Sequence, residues 1–241
     1  VLVAKGSELI DLDRAECFPR ENWEKLGELG FFGFLVPEEY GGIAEEGRLD
    51  NLALTVALEE VNAACASTGV VMSVQNSLVN AMLVREGSEE QKRKYLPRLA
   101  SGELIGAYAL TEPGHGSDAA ALETRARLDG DHYVIDGSKA WITNGGYADI
   151  YTVFATLDRG ARHKGMCAFV VPKGTPGLSP GRKEDKMGHR ASNTTLVHFD
   201  NVRVPASQRL GEEGEGFKIA MATLDRARPQ VCLLYTSDAA D

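Results

Sequence analysis

The sequence predicts an α+β fold: a helical N-terminal block, then an all-β block, then the start of a second helical unit. Three observations carry this expectation. Apolar residues recur at helical spacing up to about residue 100. Short runs rich in Val, Phe, Tyr and Thr, parted by turn residues, fill residues 103 to about 205. From Gly216 a helical apolar stripe returns in Phe217, Ile219, Ala220 and Leu224.

The elements follow in order. Trp23, Leu26 and Leu29 repeat at helical spacing, and Gly30 stands as a stop. Residues 51–61 are apolar nearly all round, which predicts a buried helix. Residues 70–84 predict a further apolar helix, closed by Gly87 as a C-cap. Ser88-Glu89-Glu90-Gln91 reads as a capping box, in which the Ser88 hydroxyl takes a free N–H and Gln91 reaches back. Pro97 limits how far that helix can run. In the second block, residues 104–110 form a short apolar run. Residues 122–128 and 133–142 flank Asp129-Gly130, a hairpin signal. Runs at 150–157, 166–171 and 195–204 complete a barrel or sandwich. Three units are expected, at 1–102, 103–212 and 213–241.

Composition narrows the function. The 241 residues are 43% hydrophobic and 25% charged, as in an ordinary globular protein with a real core. The net charge of −9 weighs against nucleic acid, whose binders usually carry a basic stripe. No apolar run is long enough for a membrane span. The N-terminus lacks a basic-then-apolar signal pattern, and it also lacks an initiator Met, so a preceding targeting segment stays open. Cys17, Cys65, Cys167 and Cys232 are far apart without a CxxC pair, which predicts unpaired thiols in a reducing compartment. The five histidines show no metal-ligand spacing, so no metal site is expected.

Three clusters can carry chemistry. In Tyr108 to Asp118, a strand runs into a loop containing Pro, two Gly, Ser and Thr. Small residues let a ligand approach the backbone, and free N–H and hydroxyl groups can hold phosphate oxygens. Taken alone, the stretch reads equally as a plain surface loop. Gly114 to Ala119 also fits GxGxxA with Asp136 downstream, but a dinucleotide fingerprint needs a following helix. Here a hairpin follows, and Asp136-Gly137 reads as a turn. In the second cluster, Lys139 to Gly146, Trp141 offers a flat face and Thr143 a hydroxyl; by itself Trp141 reads as a core residue at a strand end. In the third, Asp225 and Arg228 share a helix face, where they can pair with each other or meet an anionic ligand.

The order of YALTEPGHGSDA, GSKAWITNGG, KMGHRASNTTLVHFDNVRVP and GEGFKIAMATLDRARP behind a helical block resembles the acyl-CoA dehydrogenase family, over roughly residues 10 to 229. The resemblance implies an N-terminal α-helical domain, a middle all-β barrel-like domain and the truncated start of a C-terminal helical bundle. It implies FAD as cofactor, lined by Tyr108, Leu110, Thr111, Gly116, Ser117, Trp141, Ile142 and Thr143. Ser117, Asp225 and Arg228 would meet the acyl-CoA substrate, and the loop at 190–194 would lie beside it. The reaction implied is α,β-dehydrogenation of a saturated acyl-CoA to the trans-2-enoyl-CoA. A carboxylate takes the α-proton, and the β-hydrogen leaves as hydride to the flavin. Electrons then pass to an electron-transfer flavoprotein. The full-length form would be a homo-oligomer, a tetramer, in the cytoplasm of a bacterium or the mitochondrial matrix of a eukaryote. An acyl-CoA oxidase, a flavin monooxygenase on the same fold, or a non-catalytic binding remnant are the alternatives.

The pattern breaks in three places. No catalytic residue is expected within the chain: the usual Glu base would lie beyond residue 241. Some members carry it at the position of Ala227, which cannot act as a base. His115 stands where the family has a small residue and is expected to face outward. Residues 232–241 resemble translated sequencing-adapter read-through and are expected to be non-native, and the chain alone is expected to be inactive.

Overall fold

A computed structural model describes residues 7–45 and 51–238, with side chains to residue 233. Among the described residues, eight strands form one sheet between helical elements, in the α+β order the sequence predicts. The N-terminal helices are α1 (Ser7–Arg14), α2 (Arg20–Glu28), α3 (Asn51–Ala64), α4 (Ala66–Ser73), α5 (Ala81–Glu86) and α6 (Glu89–Ala100). Trp23 and Leu26 bury one face of α2, and Gly30, at φ +76, ends it in the left-handed conformation of a helix stop.

Several local expectations need correction. The apolar run at 51–61 is buried on one face only: Leu54, Leu58 and Val61 are inside, while Leu52 and Val56 are exposed. The run at 70–84 is three pieces, because a π-helical segment (Val74–Asn80) separates α4 from α5. Gly87 closes α5 in an extended conformation and not as a left-handed cap. Its need for glycine is steric, since a Cβ would lie 2.5 Å from the carbonyl oxygen of Leu83. Pro97 sits inside α6, three residues before its end. The capping box forms with both of its hydrogen bonds, from Gln91 N–H to Ser88 Oγ and from Ser88 N–H to Gln91 Oε1.

The strands are β1 (Gly106–Ala109), β2 (Arg125–Asp129), β3 (His132–Thr143), β4 (Ile150–Thr156), β5 (Met166–Pro172), β6 (Leu178–Lys183), β7 (Thr194–Pro205) and β8 (Arg209–Leu210). They pair in the order β6-β7-β3-β2-β4-β5-β8, with β1 parallel to β4. β2 meets β4 at a single residue pair, so the sheet divides there into two halves. The halves pack face to face: Tyr133, Ile135, Val197 and Phe199 share a core with Tyr151, Val153, Phe169 and Val171. The two-residue hairpin loop is Gly130-Asp131, one residue later than Asp129-Gly130, because Asp129 still pairs with His132 and Gly130 supplies the positive φ of +66. Asp136-Gly137 is a bulge within β3 and not a turn. The strands β6 and β8 escape the sequence pattern, β6 because LSPGRK carries both Pro and Gly.

Strands β4 and β5 are buried on both faces, which fixes the position of the site. Phe154, Met166, Ala168 and Val170 point away from the sheet core, into a second cluster. There they meet Val79, Met82 and Leu83 of the N-terminal helices and Ile219 and Ala220 of α7 (Gly216–Asp238). Helices, sheet and α7 therefore converge beside β1. Among the described residues, no helix is long and apolar enough to cross a membrane. Cys17, Cys65 and Cys167 are free thiols.

Candidate functional site

The residues singled out in the first two motifs meet in one cleft. Tyr108, Leu110, Thr111, Gly116, Ser117, Trp141, Ile142 and Thr143 all line a cavity of about 350 Å³. Its far wall is α7, where Met221, Leu224 and Arg228 fall three, four and seven residues apart and so share a helix face. Val74 and Leu78 of the π-helical segment close it from the N-terminal side.

Backbone geometry explains the convergence. β1 ends at Ala109, and the chain runs on through Leu110 and Thr111 beside β3: Ala140 N–H donates to Thr111 O at 2.8 Å. Between Lys139 and Ile142 the pairing of β3 with β7 slips by one residue. Within this bulge Trp141 takes φ 60, a value rare outside glycine. The bulge turns its side chain outward, so Trp141 is 60% exposed and is not the core residue that strand-end aromatics usually are. Ala140 and Ile142 on either side are buried. Asn144, at φ 63, then starts a turn whose N–H donates to Asn193 O at 2.9 Å, and Asn193 Oδ1 accepts from Gly146 N–H at 2.7 Å. Asn is among the few residues that tolerate this backbone region.

A buried ion pair, which the sequence reading passed over, joins the two motifs. Lys139 Nζ lies 2.8 Å from Glu112 Oε1, and both side chains are shut from solvent. Lys139 also donates to Leu110 O at 3.1 Å. Glu112 accepts the N–H groups of Glu123 and Thr124. Burial pushes the Lys139 ammonium down to about 8, against the opposing pull of Glu112. Burial would raise Glu112, but the Lys139 charge and the hydrogen bonds outweigh it and hold the carboxyl below its ordinary range. The available signal was a lone Lys just before the apolar run Ala140-Trp141-Ile142, together with a Glu in a stretch of small residues.

The cleft has the chemistry of a ligand site. The Tyr108 hydroxyl is buried without a hydrogen-bond partner, and burial raises its pKa far above the ordinary phenol value. A Cβ on Gly114 or Gly116 would meet nothing within 4 Å, so the loop backbone opens onto free space. Thr111, Ser117 and Thr143 bring hydroxyls, and Leu110, Ile142, Met221 and Leu224 bring apolar wall. Such a mix of apolar lining and few polar groups suits a planar organic ligand. Among the described residues, no Asp or Glu lines the cleft. Ala227 is buried in α7.

Other expected residues lie elsewhere. Asp225 does not line the cleft; it forms an exposed ion pair with Arg228. The loop at 190–194 is held by Lys186, which donates to His189 O, Ser192 O and Thr194 Oγ1. Its Arg190 pairs with Asp13 of α1 at 2.9 Å and lines a separate cleft of about 540 Å³. His115 does not line the site; its ring sits 3.9 Å from Glu123. After Gly116 the chain makes a single 3-10 turn (Ala119–Ala121) and then β2, so the helix a dinucleotide fingerprint requires is absent.

Residues 6–103 match the family model described as acyl-CoA dehydrogenase, N-terminal domain, and residues 107–202 match its middle domain. The chain is 50% identical to the mitochondrial short-chain specific acyl-CoA dehydrogenase of Mus musculus over 90% of this chain and 52% of that protein. The butyryl-CoA dehydrogenase of Megasphaera elsdenii superposes with a TM-score of 0.90 at 41% identity, covering 94% of this chain and 59% of that one. A chain in the structure of the electron transferring flavoprotein of Acidaminococcus fermentans superposes at 0.93 and 42% identity, over 98% of this chain and 61% of its own length. The chain thus spans about half the length of the curated relatives it matches.

Proposed function

The chain belongs to the acyl-CoA dehydrogenase family, and from that premise we propose that it forms most of the FAD site of an enzyme that oxidises a short-chain acyl-CoA to the trans-2-enoyl-CoA. One observation carries the reading: two motifs some thirty residues apart, and one face of α7, line a single cleft.

The residues present fit the cofactor. Leu110 and Ile142 keep water from a ring bound there. The hydroxyls of Thr111 and Thr143 stand to hydrogen-bond its polar edge, and the exposed indole of Trp141 stands to cover its face. Tyr108 lines the cleft, and its buried hydroxyl has no partner of its own. Gly116 lets a phosphate approach the backbone, and Ser117 offers a hydroxyl beside it. FAD supplies acceptance of the hydride; the chain supplies orientation and a dry pocket. Arg228 is the cation lining the cleft, and it exchanges Asp225 for an anionic group of the CoA. Val74, Leu78 and Leu224 bound the acyl end. Among the described residues no carboxylate lines the cleft, so the base that takes the α-proton is not one of them.

The whole enzyme passes its electrons to an electron-transfer flavoprotein and assembles as a homotetramer. It works in the cytoplasm of a bacterium or the matrix of a mitochondrion. The test is to read the gene beyond the codon for Asp238, produce the whole protein, and add butyryl-CoA anaerobically. A yellow protein whose flavin absorbance bleaches supports the reading. A colourless product that leaves butyryl-CoA unchanged refutes it.

A further inference from the structure

The buried pair Lys139–Glu112 lies outside the cleft, yet it touches both segments that build the walls. On the loop side, Lys139 Nζ donates to Leu110 O at 3.1 Å, one residue before Thr111. Its partner Glu112 follows Thr111 directly and is anchored in turn by the N–H groups of Glu123 and Thr124. On the strand side, Lys139 is the last residue in register before the bulge that turns Trp141 outward. The ion pair thus spans the loop and the bulge, beside the backbone bond from Ala140 N–H to Thr111 O at 2.8 Å.

A buried charge pair is an expensive way to hold two segments together. Apolar residues of similar volume often do so with equal or greater stability. The pair's virtue is directional: an ammonium and a carboxylate, each with further backbone bonds, admit one relative placement of the two segments.

We propose that Lys139 and Glu112 are positioning residues of the flavin cleft, a proton-dependent clamp that sets the placement of Trp141 against the Leu110–Thr111 segment. The proposal rests on the functional reading above for its purpose, though not for its geometry. Glu112 is the charged group facing Lys139 from the loop, and on β7 its register neighbour is the apolar Val197. The side chains of His115 and Glu123 lie outside the pair, Glu123 against Arg159. With its ammonium held down to about 8, Lys139 loses its proton within the range in which the fold can be studied. The carboxylate then loses its counter-charge, and the spacing of loop and bulge relaxes.

The chain contains two tryptophans, and only Trp141 is exposed, Trp23 being 1% accessible. Quenching by acrylamide, a neutral probe indifferent to nearby charge, therefore reports Trp141. In the parent chain the quenching constant should step with a midpoint near the Lys139 value of about 8. In Glu112→Gln the midpoint should move to lower pH, because the ammonium has lost its counter-charge. Lys139→Met leaves a buried carboxylate alone and is liable to unfold, so the charge-free double variant Glu112→Gln/Lys139→Met serves beside it; its step should vanish. A flat parent profile between about pH 6 and about pH 9.5, or an unchanged step in the double variant, overturns the clamp. FAD affinity is measured on the same proteins and should weaken across the step in the parent but not in the double variant. FAD that binds with no change across the step also overturns the proposal. A chain that takes up no FAD at any pH counts against the functional reading alone, and the acrylamide profile still decides the clamp.

Discussion

The side-chain carbonyl of Gln75 accepts the backbone N–H of Gly106 at 2.9 Å, joining the π-helical segment to the first strand of the sheet. The same side chain donates to Leu99 O at 3.0 Å and to Leu104 O at 2.9 Å. Gln75 is fully buried, so these three groups have no water to turn to. Gln75→Leu fills the space but strands one buried N–H and weakens two carbonyls. With each unsatisfied group costing about 1–3 kcal/mol, we expect a loss of about 2–4 kcal/mol in urea unfolding. A loss below about 1 kcal/mol would show that the segment and strand are held by packing alone.

Gln75 also marks where sequence reading stops. Its neighbours Val74 and Leu78 sit in a run that reads as continuous α-helix, and nothing in local propensity separates a π turn from an α turn. The turn is set by tertiary bonds: Gln75 to β1, and Asn80 to Phe32 O at 2.8 Å. By contrast the β block was legible because Val, Phe and Tyr alternate between two apolar cores, and turn residues punctuate them. The cleft was legible by resemblance and not by pattern. Trp141 at a strand end looks like a core residue until the bulge is known, and a bulge is a property of two strands together. Lys139 and Glu112 are 27 residues apart, so no spacing rule pairs them.

The capping box of α6 gives a comparison between two single variants. Ser88→Ala removes one cap and should cost about 1 kcal/mol. Gln91→Ala removes the reciprocal cap and, in addition, the bonds from Gln91 Nε2 to Ser207 O at 2.8 Å and Arg209 O at 3.1 Å. Those carbonyls belong to the 3-10 turn at Ala206–Gln208 and to β8, the end strand of the sheet, so the second variant loosens the contact of α6 with that edge as well as the helix end. Thermal unfolding should rank Gln91→Ala as the more damaging of the two. The reverse order would mean that α6 and the β8 region are not coupled through this side chain.

The two tryptophans should separate stability from binding. Trp23 is buried against Phe32, with ring centroids 4.1 Å apart, and donates to Gly102 O at 2.8 Å. Trp23→Ala should cost about 3–5 kcal/mol, the usual penalty for emptying an aromatic site in a core. Trp141 buries little and holds a positive φ, so Trp141→Gly should leave stability within about 1 kcal/mol of the parent. FAD binding, followed by flavin fluorescence, should weaken in Trp141→Gly. A Trp141 variant that unfolds like Trp23→Ala would place the indole in the core, against its observed exposure.

The Lys139–Glu112 pair makes a signed claim about pH. Burial lowers the Lys139 ammonium from its ordinary 10.5 to about 8, so between those values the unfolded chain holds a proton that the folded chain has released. Stability rises with pH wherever the unfolded state binds more protons. The contribution of Lys139 to stability therefore increases from about pH 8 toward 10.5, even as its clamp on Leu110 and Glu112 slackens. The pH dependence of the whole fold sums over many groups, so the measurement is a difference: urea unfolding of the parent minus that of Glu112→Gln/Lys139→Met, at several pH values. The difference should become more favourable to the parent as pH rises through the window. Glu112 acts in the same direction at the acid end: its carboxyl is depressed in the fold, so its contribution is lost as pH falls through the folded value. A difference that falls between about pH 8 and 10.5 would mean that the native ammonium is stabilised, and that the carboxylate outweighs burial at this position.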